Sequence, residues 1–284
     1  GLGGRLRCQW PGDRAAGRGV PLAGTLRQTR GRAGTGARRS VASLMSSLAL
    51  LAIAAHRDDA ELTCGGTLIR AVDAGHAVGV LDLTQGEMGT RGSAALRAAE
   101  AEAAAHVMGL AVRENLGLPD AGIRNDDDTR ARLVQLLRRL APRVVIAPAT
   151  RSRHPDHRRA AELVRDACFL AGLAKYAPGD APAARPFKLL HVLTYREDAV
   201  KPTFVVDITE QFDRKMAAIK CYSSQFDGAT QAGEVYPNGE SLYDMVTHHA
   251  ARYGSLIRSR YGEPFSTDET MRVDDVTTLA VSTF

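Results

Sequence analysis

Leu48-Ala-Leu-Leu-Ala-Ile-Ala54, followed at once by Ala55-His56-Arg57-Asp58-Asp59, is the stretch on which the fold turns. An unbroken apolar run, then a polar cluster and a segment of helical period, reads as a fully buried parallel strand and its strand-to-helix turn. A second run, Val144-Val145-Ile146-Ala147, has His154-Pro155-Asp156-His157 a few residues beyond it. In open α/β sheets the ligand site lies beyond the carboxyl ends of the strands. Both acid–histidine clusters are therefore expected on one edge of one sheet, where they would converge. Three histidines and three aspartates in one place suggest a metal-assisted hydrolase.

Outward from these two runs, strand and helix alternate. A helix is expected over 60–74, stopped by Gly75, and a strand over 77–83. A glycine-rich loop, Thr84-Gln-Gly-Glu-Met-Gly-Thr-Arg-Gly92, leads into a helix over 93–108, with Ser93 as N-cap and Gly109 as its stop. A short strand at 112–116 comes next. The helix at 129–140 carries Leu133, Leu136, Leu137 and Leu140 on one face and ends before Pro142. Another helix spans 158–172. Strands at 187–194 and 204–208 and helices at 210–221 and 241–260 follow; the tail after Pro264 has no assignable pattern. The expected fold is a Rossmann-like, doubly wound, mostly parallel α/β sheet with helices on both faces and a C-terminal elaboration. It forms a single domain over 45–284.

Composition narrows the function. The chain has 284 residues, enough for one large α/β core, and only 5% aromatics. No apolar run approaches the ~18 residues of a membrane span. The four cysteines, Cys8, Cys64, Cys168 and Cys221, are scattered without CxxC spacing. That usage fits free thiols and a cytoplasmic protein rather than a disulfide framework. The net charge of +5 is uneven: residues 1–44 hold nine Arg and one acid, Asp13, leaving 28 basic and 31 acidic side chains, or −3, for the rest. A mildly acidic body argues against a nucleic-acid face on the domain. The Gly/Arg-rich leader has neither apolar periodicity nor the apolar segment of a secretory signal. It reads as disordered or non-native, with Met45 placed as a true start; an organelle transit peptide and a nucleic-acid-binding arm are the other readings.

A catalytic zinc site takes three protein ligands and leaves a fourth position for water. His56 and Asp59, three residues apart in a reversing turn, and His157 from the distant loop supply them. Asp58, beside the ligand pair but pointing elsewhere, suits a general base. His154, with Asp156 close by, suits a residue that steadies an oxyanion or gives a proton to a leaving amine. These are the parts for amide hydrolysis. A non-catalytic Rossmann-like small-molecule binder fits less well, since no GxGxxG or GxxxxGK[ST] follows any strand and Gly65-Gly66 lies inside the first helix. His76, His106, His191, His248 and His249 belong to no comparable cluster and read as ordinary surface or packing residues. Tyr195, Tyr236 and Tyr243 are candidates to reach the pocket.

The elements Ala55-His-x-Asp-Asp-Ala-Glu61, Thr84-x-Gly-Glu87 and His154-Pro-Asp-His157 resemble the LmbE/PIG-L family of zinc-dependent de-N-acetylases. Gly86-Glu-Met-Gly-Thr-Arg-Gly92, Phe204-Val-Val-Asp-Ile-Thr209, Lys215, Ser223-Ser-Gln225 and Arg252-Tyr-Gly254 look more narrowly like the bacillithiol-biosynthesis branch, which deacetylates N-acetylglucosaminyl malate. The resemblance covers 46–284. It implies zinc, with iron(II) as an alternative, on His56, Asp59 and His157, and Asp58 as base. It also implies His154 as the electrostatic or acid histidine with Asp156 as its partner. The substrate-gripping arginine falls on Arg97, with Arg91 as a second candidate for a malate carboxylate and Glu87 in the site wall. Two plainer readings stand beside these: an Arg97–Glu100 pair along one helix, and a connecting loop around Glu87. The resemblance further implies a homo-oligomer, trimer or hexamer, acting on a small N-acetylglucosamine conjugate whose aglycone is malate, inositol or an oligosaccharide. Membrane and nucleic acid are not expected as partners. The family usually has Pro where this chain has Arg57. Losing proline's restraint and gaining a cation is expected to perturb metal affinity.

Overall fold

The computed structural model describes residues 47–193, 201–227 and 241–281. The arginine-rich leader, Met45, Tyr195 and Tyr236 lie outside them. Strands β1 (Leu50–Ala54), β2 (Val78–Thr84), β3 (Val112–Leu118), β4 (Val144–Ala147) and β5 (Lys188–Val192) alternate with helices α1 (Asp59–Asp73), α2 (Ala94–Met108), α3 (Asp127–Leu140) and α4 (Pro155–Ala171). The chain continues through β6 (Phe204–Asp207), α5 (Phe212–Lys220), the single turn α6 (Ser223–Phe226), α7 (Leu242–Leu256) and β7 (Gly262–Ser266). The sheet order is β3-β2-β1-β4-β5-β7-β6. The first five strands are parallel, and β7 runs antiparallel to both β5 and β6.

Alternation within β1 shows why the sheet is covered on both sides. Leu51 and Ile53 pack with Leu133, Leu137, Leu163 and Val164 of α3 and α4. Ala52 and Ala54, on the opposite face, pack with Ala60, Cys64 and Leu68 of α1. Burying a large apolar side chain stabilises by roughly 1.5–3 kcal/mol, so a continuous apolar run is what a strand between two helical layers requires. The chain winds outward from β1 to β3, then crosses to β4 on the other side. The winding reverses between β1 and β4, which opens a crevice at their carboxyl ends.

Differences from expectation are local. Helix α4 begins at Pro155, three residues earlier than expected, because proline suits the first helical position and His154 serves as N-cap. Helix α3 starts at Asp127 behind a capping box formed by Asp126 and Thr129. The unassigned tail contributes β7, a short strand carrying Pro264 that pairs with residues far away in sequence.

Several residues that carried the narrower resemblance prove to brace the fold. Lys215 Nζ donates to Glu263 Oε1 at 2.6 Å in a fully buried pair, and the Gly66 and Thr67 amides donate to the same carboxylate at 2.9 and 2.7 Å. Removing one partner of such a buried pair costs about 3–5 kcal/mol. A Cβ on Gly66 would stand 2.7 Å from Ile208, so α1 approaches the end of β6 more closely than any side chain permits. Ser224 donates from its amide and hydroxyl to the Glu100 carboxylate (2.8 and 2.7 Å), and Gln225 donates to Arg91 O (2.9 Å). Glu100 is thereby engaged away from Arg97.

Candidate metal centre

The turn after β1 folds back so that the His56 amide donates to Asp59 Oδ2 at 2.9 Å. That same oxygen lies 3.3 Å from His56 Nδ1 and 3.2 Å from His157 Nε2. Ligands about 2.0–2.1 Å from a tetrahedral zinc are separated by about 3.3–3.4 Å. Both separations from the aspartate oxygen therefore suit edges of one coordination tetrahedron. The ring centroids of His56 and His157 are 5.3 Å apart, and that of His154 lies 4.8 Å from His56 and 5.0 Å from His157. The three residues expected to hold a metal are thus brought together, with His154 beside them.

The other ring nitrogen of His56 faces two carboxylates. Its Nε2 is 3.3 Å from Asp156 Oδ2 and 3.2 Å from Asp120 Oδ1. A proton shared with these acids sits on Nε2, which leaves the Nδ1 lone pair for a metal. Asp156 therefore does not serve His154 as expected. Its carboxylate also accepts from the amides of Ala121 (2.8 Å) and Ile123 (3.3 Å), which turn it inward to His56. His154 meets Asp156 only through the backbone: its Nδ1 accepts from the Asp156 amide at 3.2 Å, capping α4. Because that nitrogen accepts, the neutral ring carries its proton on Nε2.

Asp120 was not among the expected site residues. It follows β3 in a Pro-Asp turn of a kind found in many loops, and its only sequence signal was its place at the carboxyl end of a third parallel strand. Its Oδ2 accepts from the Met88 amide at 2.9 Å, and its own amide donates to Glu87 Oε1 at 2.8 Å. Glu87, expected in the site wall, thus supports the loop that aims Asp120.

Asp58 occupies the N-cap of α1 with φ of 100°, a left-handed conformation that costs a non-glycine residue about 1–3 kcal/mol. Its Oδ2 accepts from Arg97 Nη2 at 3.2 Å. Arg97 does not project toward a substrate as expected. It is 5% exposed, and it also donates from Nη2 to Arg57 O and from Nη1 to Gly86 O, both at 2.9 Å. Gly86 is the residue that allows this, since a Cβ there would lie 2.0 Å from Arg97 Nη1. Arg57 is itself buried and donates from Nη1 to Ala94 O at 2.7 Å. Its guanidinium is committed to the start of α2. Arg91 is half-buried in the glycine-rich loop and donates to Asp227 O at 3.1 Å. Tyr243 donates to Asp227 Oδ1 at 3.0 Å.

The charges follow from these contacts in the metal-free protein. Burial disfavours a charged His56, yet bonds to Asp120, Asp156 and Asp59 raise its pKa to about 12. Burial likewise opposes ionisation of Asp59, but His157 and His56 hold it well below the usual carboxylate range. Asp58 is pushed up to about 7 by burial, against the pull of Arg97 and with the push of Asp59. Burial and the charges of His56 and His157 lower His154. A small apolar cavity of about 20 Å³ opens beside Asp59 and His157, lined chiefly by Ala54, Ala60, Cys64, Ala147 and Val192. It has room for one group of water or methyl size.

Fold and site together define an α/β protein with a two-histidine, one-aspartate centre at the reversal point of its sheet. Comparison with known proteins gives the family. The profile described as "PIG-L: GlcNAc-PI de-N-acetylase" matches residues 51–168. The chain is 30% identical over 228 residues to 4-oxalmesaconate hydratase of Pseudomonas putida, covering 75% of this chain and 82% of that protein. Diacetylchitobiose deacetylase of Thermococcus kodakarensis is 29% identical over 226 residues, covering 75% and 80%. The crystal structure of a conserved Thermus thermophilus protein is 38% identical, with a TM-score of 0.71, covering 80% of this chain and 98% of that one. The chain belongs to the PIG-L family of de-N-acetylases.

Proposed function

We propose that this protein is a metal-dependent hydrolase that removes the acetyl group from an N-acetylglucosaminyl conjugate, with N-acetylglucosaminyl malate as the first substrate to test. The observation that carries the reading is the Asp59 oxygen lying at coordination-edge distance from both His56 Nδ1 and His157 Nε2. His56, Asp59 and His157 would hold zinc or iron(II), which when bound would lower the pKa of a water from 15.7 to roughly 7 and offer Lewis acidity to an acyl carbonyl. Asp58 keeps Oδ2 on Arg97, which leaves Oδ1 to take the proton of the attacking water. His154 presents Nε2–H to the developing oxyanion, and the proton taken by Asp58 passes on to the departing amine. The cavity beside Asp59 and His157 accepts the acetyl methyl and is too small for a long acyl chain. Arg91, half-buried in the glycine-rich loop, is the candidate for the malate carboxylate.

The test is amine release from N-acetylglucosaminyl malate by the full chain, with metal content measured on the same sample. Activity lost on chelation and restored by zinc is expected. Bound metal without turnover on this substrate would move the search to inositol or oligosaccharide conjugates. The hydratase relative supports a second reading, addition of water to an unsaturated oxo acid such as 4-oxalmesaconate at the same cluster of residues. Consumption of 4-oxalmesaconate without amine release from any N-acetyl sugar would establish it. We also propose a homo-oligomer, supported by exposed Met271, Val273, Val276 and Leu279 along the C-terminal arm; light scattering would read its size. No described helix is long and apolar enough to cross a membrane.

A further inference from the structure

We infer that Arg57 is a positioning residue: with Arg97 it forms a reciprocal latch between the metal-ligand turn and α2, and this latch holds Asp58 and Asp59 in place. The contacts run both ways. Arg57 reaches out of the turn to Ala94 O, at the first position of α2. Arg97 reaches back from the first turn of α2 to Arg57 O and Asp58 Oδ2 and is fastened to the glycine-rich loop through Gly86 O. Both arginine side chains are buried, and their partners Ala94 and Asp58 are half-buried.

What the latch holds is a backbone that would not rest there unaided. Asp58 has a left-handed φ of 100° with no side-chain capping bond, directly between the candidate ligands His56 and Asp59. Strained backbone persists only where its surroundings over-determine it. Here the restraint acts on the strained residue and the one before it: on the Arg57 carbonyl, the Arg57 side chain and the Asp58 carboxylate. Arg57 therefore supplies by tethering the stiffness a proline would supply by its ring. Its guanidinium acts through geometry and not as a cation opposing the metal.

The inference rests on the metal reading only in its second readout. Hydrogen exchange of metal-free full-length protein is compared for the parent, Arg57→Ala, Arg57→Lys and Arg57→Pro, followed by cobalt(II) titration with its visible spectrum. In Arg57→Ala, exchange over 55–62 should quicken by about tenfold or more with the rest of the sheet unchanged, and cobalt(II) affinity should fall about 10–100-fold, as for other outer-shell losses. Arg57→Lys, which retains charge and reach, should fall between Ala and the parent. Arg57→Pro should recover most of both losses. Unchanged exchange at 55–62 in Arg57→Ala, or tighter cobalt(II) binding in both Ala and Pro variants, would overturn the latch. So would a Pro variant as impaired as the Ala variant. Should Arg57→Ala not fold, the Lys variant decides on the same readouts. A parent that binds no cobalt(II) refutes the metal reading, while the exchange comparison still decides the latch.

Discussion

In the turn after β1, Asp58 stands at φ of 100° and His56, Asp58 and Asp59 all have ionic partners within 3.3 Å. In the loop after β4, His154 has an ordinary φ of −73° and is exposed, and its ring accepts from an amide of its own helix. The first turn spends conformational strain and buried charge to fix ligands. The second leaves a histidine at the rim, where it can meet a substrate. His157 and Asp156, in the first turn of α4, join the two by reaching inward to Asp59 and His56. Rigidity sits where the candidate ligands converge, and access sits where His154 faces the rim.

Breaking the first turn should give the largest effect. Asp59→Asn should lower metal affinity by more than the 10–100-fold typical of outer-shell partners and abolish turnover, read as metal content after dialysis and as amine release. Asp58→Asn tests whether the base is separable from the ligands: turnover should fall about 10²–10⁴-fold with metal content unchanged. If turnover survives, Asp58 is not the base. On the second loop, His154→Asn keeps a capping side chain but loses the Nε2–H donor. Turnover should fall about 10²–10³-fold, with metal affinity and melting temperature near the parent's. His154→Ala should add a stability loss of ~1 kcal/mol from the uncapped α4, separating the two duties of that histidine.

Asp120→Asn sharpens the comparison further, because Asp156 still holds His56 Nε2. Metal affinity should drop only about tenfold, measured by competition with a chelating dye. The smallest effect concerns pH. With the folded pKa of His56 raised from 6.5 to about 12, its contribution to metal-free stability is fully present below pH 6.5 and is lost as pH rises through about 12. Denaturant midpoints of the metal-free protein should therefore decline from pH 7 toward the alkaline limit, more gently in Asp120→Asn. A flat profile in the parent would mean that His56 is not the imidazolium the carboxylates make it.

Much of the site was legible because its signals are local. The runs ending at Ala54 and Ala147, the Ser93 cap and the Gly109 stop are each set by near neighbours and reappear within a residue or two. The gathering of His56, Asp59 and His157 followed from placing two clusters at the ends of parallel strands. Asp120 was not legible, since a Pro-Asp turn has no signal until its strand is placed beside β2. Strand β7 escaped for a related reason: five residues containing a proline pair with partners about 55–75 positions away.

The sequence by itself determined the strand–helix alternation, the mostly parallel sheet and most of the residues gathered at its carboxyl edge, because periodicity and capping act over a few residues. Only the tertiary structure decided where long and branched polar side chains point. Arg97 turned out to clasp the ligand turn, Asp156 to serve His56, and Lys215 to pair with Glu263. A buried charge goes to whatever partner packing brings within about 3 Å, and that partner is set by how the layers close.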